Sequence, residues 1–193
     1  MIKSKIKELQ LKIKSLRVTK PKNIITGFLI ILVAFAADQI TKIWIMNTYE
    51  IGERHAVEII EDFLYISHVR NHGAAWSIFS GNAFMLVWLT GFVIICMLVF
   101  LLFNKNMALT VPVAMIVGGG LGNLYDRIFR DGVVDFIDVY LFSRTNGGYD
   151  FPVFNVADSI LFCGTIALSI YVLFIMKEPE KEKEISECEE INE

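Results

Sequence analysis

Four apolar runs, each long enough to cross a bilayer, leave this chain few ways to fold. They cover residues 24–45, 82–103, 107–129 and 154–176. At 1.5 Å per residue a helix over the first run reaches roughly 33 Å, against a hydrocarbon core of about 30 Å. The chain is 54% hydrophobic, above the usual range for a soluble domain, and its charges sit between the runs. The predicted fold class is a membrane all-α core of four transmembrane helices with a small exported, β-containing loop. Three parts follow: a basic arm at 1–23, a membrane domain at 24–176, and an acidic tail at 177–193.

The arm carries eight basic residues and one acid between residues 1 and 22. It reads either as an amphipathic helix on an anionic leaflet or as a solvated basic arm. A cleavable signal peptide is the competing reading of the first run, because Ala34-Phe35-Ala36 mimics a small-x-small cleavage site. The apolar pattern continues past it through Ile40, Ile43, Trp44 and Ile45, which favours a retained helix. The tail, with eight Glu and three Lys, reads as solvated chain. Cys96 and Cys163 lie inside apolar runs and are expected as small buried hydrophobes; Cys188 lies in the tail. Neither the cysteines nor His55, His68 and His72 have metal-ligand spacing, so no metal or other cofactor is called for.

Four spans put both termini on one side. The arm and Lys105 in the 104–106 turn make that side cytoplasmic by the positive-inside rule, so the connections 47–81 and 130–153 are exported. In the first of them, Phe63, Tyr65, Ser67 and Val69 alternate with Leu64, Ile66, His68 and Arg70. Strict period two predicts a strand with those two sets on opposite faces. Asn71-His72-Gly73 and Thr145-Asn146-Gly147-Gly148 are turn signals. Trp76 is an interfacial aromatic.

Antiparallel spans then gather Asp38, Lys42, Asn123, Asp126, Arg127, Asn155 and Asp158 at the outer ends of three helices. A charge at mid-membrane costs about 2.5–3.5 kcal/mol on insertion scales, so seven polar groups at one depth predict a mutually neutralised cluster. Asp38 has Lys42 four residues away, and Asp126 has Arg127 beside it and Lys42 as a further candidate. Asp135 and Asp158 have no base at helical pair spacing. Two such carboxylates suggest a dyad sharing one proton, able to activate water and protonate a carbonyl oxygen. No serine or cysteine nucleophile is paired with a histidine. A structural cluster and an ion-coupled transporter use the same residues, although transporter sites favour the midplane and repeated halves. A four-span scaffold without chemistry is the third reading.

The motifs are more specific than the spacing. Asp38…Lys42, Asn71-His72-Gly73-Ala74-Ala75-Trp76-Ser77, Gly122-Asn123-Leu124-Tyr125-Asp126-Arg127, Val133-Val134-Asp135-Phe136 and Phe154-Asn155-Val156-Ala157-Asp158-Ser159 occur in this order. Together they resemble signal peptidase II, the bacterial lipoprotein signal peptidases, over about residues 24–176. Trp76 stands where that family commonly has Phe. The resemblance implies an aspartic endopeptidase of the cytoplasmic membrane, active as a monomer near the outer face. It would remove signal peptides from diacylglyceryl-modified prolipoproteins, cutting before the lipidated cysteine. Membrane lipid is then its surroundings, and no nucleic acid is a partner. By the same resemblance Asp135 and Asp158 are the catalytic pair. Asn71, Asn123, Arg127 and Asn155 surround the substrate or dyad, and Asp38, Lys42 and Asp126 support it. The first exported loop would form a β-cradle and a periplasmic helix. Asp131 and Asp138 are expected to be dispensable.

Overall fold

The computed structural model describes residues 19–73, 83–141 and 149–176. The arm's first eighteen residues, Trp76 with its neighbours in 74–82, the turn at 145–148 and the acidic tail lie outside the described residues. Among the described residues, four helices are long and apolar enough to cross a membrane. They are α1 (Pro21–Thr48), α2 (Ala83–Phe103), α3 (Met107–Phe129) and α4 (Val156–Ile170), the last extended by a π-helical turn, Tyr171–Ile175. Inside hydrocarbon every backbone N–H and C=O has to find its partner within the segment, and a helix does so.

Proline at the start of α1 suits a position whose N–H would have no helical partner. Asn106 caps α3, its side chain accepting from Ala108 N–H at 2.9 Å. At the same end Thr19 N–H donates to the Leu102 carbonyl at 2.8 Å, joining α1 to α2. α3 is the central helix, more than half buried along its apolar window, whereas α2 and α4 are mostly exposed. Their outward Phe84, Trp88, Phe92, Phe162 and Phe174 leave a broad exposed apolar surface. Cys96 and Cys163, expected to be buried, are exposed on α2 and α4. A thiol is a small hydrophobe, and hydrocarbon satisfies it as well as a protein core does.

Small residues let α3 approach both neighbours. A Cβ on Gly119 would lie 2.6 Å from the Ala157 carbonyl of α4, and one on Gly122 would strike the Asp38 carboxylate of α1.

At one end of the bundle lies a four-stranded sheet in the order β1-β2-β3-β4. Its strands are β1 (Val57–Ile60), β2 (Leu64–Asn71), β3 (Val133–Leu141) and β4 (Tyr149–Asp150), and all pairings are antiparallel. The alternation read in the sequence identifies β2 but misplaces its faces. Ser67 and His68 are not on opposite sides: a bulge sets both against Phe136, and both are buried. β3 lies within what the sequence alone presents as a polar connection, 130–153. The chain turns from α3 into it through Asp131 and Gly132, both at positive φ. Val134 and Phe136 then pack with Ile45 of α1, seating the sheet on the bundle. On its other edge β3 meets Phe154, whose N–H donates to Ile137 O and whose carbonyl accepts from Ile137 N–H. That pairing places the start of α4 beside β3.

Candidate active site

The helical frame comes first, because it orients everything above it. Lys42 is fully buried, with three N–H donors and three acceptors around them. Its Nζ lies 2.9 Å from Asp38 Oδ2, 2.8 Å from Asp126 Oδ2 and 3.0 Å from Asn123 Oδ1. Asp38 and Asp126 are also fully buried. The second cation on Asp126 is Arg130, not the expected Arg127: Arg130 Nη1 binds Asp126 Oδ1 from one helical turn on. Arg127 points the other way, to the carbonyls of Asn123 at 3.3 Å and Gly73 at 3.2 Å. The i,i+4 spacing of Asp126 and Arg130 was the available signal; side chains adjacent in sequence on a helix face apart.

Asp38 does more than neutralise Lys42. Its Oδ1 accepts the Ala157 N–H in the first turn of α4 at 3.0 Å. The sequence reading also missed Gln39, buried beside it, whose Nε2 donates to Asp38 Oδ2 at 3.0 Å and to the Gly122 carbonyl at 3.3 Å. Asn155 is the N-cap of α4, its side chain accepting from Asp158 N–H at 2.9 Å. Asp158 Oδ2 returns the contact to Asn155 N–H at 3.2 Å, which closes a capping box. α4 thus begins with its free N–H groups answered by Asp38, Asn155 and Asp158, and its positive dipole end favours those carboxylates.

These bonds set the amide orientations at the centre. Asn123 Oδ1 is taken by Lys42, so its Nδ2 faces Asp158 Oδ1 and donates at 2.7 Å. Asn155 Oδ1 is taken by the helix cap, so its Nδ2 donates to Asp135 Oδ1 at 2.7 Å and to Asn123 Oδ1 at 3.1 Å. Asn71 Oδ1 accepts from Gly73 N–H at 2.9 Å, so its Nδ2 donates to Asp135 Oδ2 at 3.0 Å. The two carboxylates are therefore bridged, Asp135–Asn155–Asn123–Asp158, by amides whose direction is decided elsewhere.

Asp135, on β3, is 3% exposed. Burial pushes its carboxyl up to about 7; the nearby Asp158 adds to the rise, while Asn71, Asn155 and Lys42 oppose it. Arg127 lies close enough to Asp158 and Asp135 to interact with both charges.

Asp135, Asp158, Asn71, Asn123 and Arg127 line one cavity of about 500 Å³. Apart from Ser159, its remaining wall is apolar and includes Phe151, Phe154 and Phe162. All nine residues expected at the site converge in two layers: Asp38, Lys42 and Asp126 form the buried frame, and the other six meet at or beside the cavity. Asp131 is exposed. Asp138, expected to be equally dispensable, is fully buried and accepts from Ser67 Oγ at 2.6 Å.

The frame makes a sharp demand on Gly122. Gly122→Ala would drive a methyl group against Asp38, displacing it from Lys42 and from the start of α4. We expect kcat to fall by about tenfold or more, with partial loss of thermal stability of about 1–3 kcal/mol. Kinetics and melting in detergent check this; unchanged values would mean that the helices are not this close.

The residues matched and the shape agree with known proteins. The model of the family described as signal peptidase (SPase) II matches residues 30–174. Proteins named lipoprotein signal peptidase from Staphylococcus aureus strains JH9 and Newman are 37% identical over 161 residues, covering 82% of this chain and 93% of theirs. Two solved structures of bacterial membrane enzymes, determined by the in meso method, are also similar. One has a TM-score of 0.71 at 36% identity, covering 84% of this chain and 96% of its own. The other has a TM-score of 0.68 at 35% identity, covering 82% and 97%.

Proposed function

The chain belongs to the signal peptidase II family of membrane proteases, and from that premise we propose that it hydrolyses diacylglyceryl-modified prolipoproteins with Asp135 and Asp158. The cut falls immediately before the lipidated cysteine. The observation that carries this reading is the bridged carboxylate pair at the wall of one cavity, with Asp135 holding its proton to about pH 7.

The division of labour follows from the surroundings. Asp135 is the acid: protonated, it donates to the scissile carbonyl oxygen and polarises it. Asp158, ionised, accepts a proton from water as the water attacks the carbonyl carbon. The tetrahedral intermediate collapses with a proton delivered to the leaving amine. Asn123 and the Asn155 N–H hold Asp158 in place, and Asn71 and Asn155 hold Asp135. The aromatic wall of the cavity suits an apolar signal helix and acyl chains. With the basic arm on the cytoplasmic side, the sheet and cavity lie near the outer leaflet, where a precursor anchored by its lipid presents the bond.

Incubation in detergent with a diacylglyceryl-modified prolipoprotein tests the reading. Mass spectrometry is expected to find a product that begins with the lipidated cysteine; a cut elsewhere contradicts it. The same assay across pH tests the acid. Below about 7 Asp135 keeps its proton and the limb is flat. Above about 7 the proton is lost and kcat/KM falls about tenfold per pH unit. A rate that stays flat to pH 9 would remove Asp135 from that role.

A further inference from the structure

The β2–β3 ladder has two registers that differ by one residue. From Leu64 to Ile66, β2 pairs with Val139 to Ile137; from Val69 to Asn71 it pairs with Asp135 to Val133. Ser67 and His68 together face Phe136, which makes a bulge. Residues directly opposite in a ladder share a face, and successive residues alternate. Carried through unbroken, the first register would set Asn71 opposite Gly132, on the face away from Asp135. The bulge sets it opposite Val133 instead, a diagonal neighbour of Asp135 on the same face. The Asn71–Asp135 hydrogen bond depends on that one extra residue.

Ser67 is half of the bulge, and its hydroxyl is fully engaged. Oγ donates to Asp138 Oδ2 at 2.6 Å and accepts from His55 N–H at 2.9 Å. Ser67 and Asp138 are both fully buried. The backbone of His68 is held by the same loop, its N–H donating to Glu53 O at 2.7 Å and its carbonyl accepting from Gly52 N–H at 2.8 Å. The His55 ring lies 3.6 Å from Asp138 Oδ2 and packs against Tyr65 and Tyr140. Asp138 follows Asp135 by three residues on β3, so it points to the opposite face, away from the cavity.

We infer that Ser67 and Asp138 are positioning residues for the hydrolysis: their hydrogen bond holds the bulge that turns Asn71 onto Asp135. The carboxylate expected to be dispensable thereby acts on the catalytic one through the sheet. The inference rests on the reading of Asp135 as the acid, and its test separates the two.

The groups facing Asp135 are Asp158, Asn71, Asn155, Lys42 and Arg127, and of these Asn71 is among those that lower its pKa. Loss of the Asn71 bond therefore moves the alkaline limb of the pH–rate profile upward. Asn71→Ala is expected to shift that limb by up to about one pH unit. Ser67→Ala is expected to shift it the same way and to lower kcat by about tenfold to a hundredfold with KM near wild type. In the Asn71→Ala background, Ser67→Ala is expected to shift the limb no further. Asp138→Ala removes the acceptor for Ser67 and is expected to shift the limb and lower kcat as Ser67→Ala does. Should Ser67→Ala not be recovered folded, Ser67→Cys, a weaker donor of similar size, runs the same comparison.

A merely structural role for Ser67 and Asp138 predicts lost stability with the limb unmoved, and that result overturns the inference. So does a shift that adds fully to that of Asn71→Ala. If Asn71→Ala itself leaves the limb in place, the reading of Asp135 as the acid fails, and this inference with it.

Discussion

Asp135→Asn and Asp158→Asn are each expected to lower the cleavage rate by about 10³-fold or more while the protein remains folded. A carboxyl that transfers a proton in the transition state contributes about 10²–10⁴-fold, and the nearby Asp158 helps to hold the proposed acid, Asp135, in its protonated form. The double variant is expected to be little slower than either single one, as for residues that act as a unit. Asparagine is close in shape but cannot serve both of its neighbours. At position 135 it meets two N–H donors, from Asn71 and Asn155, and can offer only one oxygen. At 158 it meets Asn123 Nδ2 and the Asn155 N–H in the same way. Each substitution therefore leaves one buried donor unanswered, at a cost of about 1–3 kcal/mol. Single-turnover cleavage and thermal melting in the same detergent separate the two effects. A variant that cleaves within about tenfold of wild type would show that its carboxylate is not in the chemistry.

Lys42→Met is expected to be the most destabilising single change in the bundle. It removes the cation shared by Asp38, Asp126 and Asn123 at a point with no exposure to solvent. Breaking a buried ion pair from one side costs about 3–5 kcal/mol, because the charge left behind has neither water nor a counter-ion. Asp126 keeps Arg130, so the stranded group is Asp38. Lys42→Met combined with Asp38→Asn should therefore recover about half of the loss. Activity should not recover, since Asn123 has lost the contact that aims its Nδ2 at Asp158. Melting and cleavage measured on both variants check this. A single variant as stable as wild type would mean that water reaches the frame.

The helices were legible because hydrocarbon imposes one rule, a long apolar run, and each run satisfies it. The polar groups of the frame were legible for the same reason: a charge in such a run needs a partner, and helical spacing narrows the choice. It did not narrow it to Arg130, which lies just past the end of α3 and was counted with the loop. The capping box at Asn155 and Asp158 was visible as three-residue spacing, but its role depended on where α4 begins. β3 was missed although Val133, Val134, Phe136, Ile137, Val139 and Tyr140 favour a strand. Asp135 and Asp138 interrupt that pattern on opposite faces, and both are buried, so period two is lost. The bulge was out of reach of alternation altogether. A one-residue shift leaves the composition unchanged and reverses which side chains share a face, and that is why Ser67 and Asp138 passed as ordinary strand residues.

Under the proposed function a lipidated precursor lies against the aromatic wall beside Asp135 and Asp158, so cleavage should depend on the lipid. Two prolipoprotein substrates would be compared, identical except for the diacylglyceryl group on the cysteine. Burial of only about four methylenes, at ~0.8 kcal/mol each, supports a preference of about 10²-fold. The expected result is kcat/KM at least that much higher for the lipidated substrate, with cleavage of both abolished by Asp158→Asn. Equal rates on the two substrates would contradict the account.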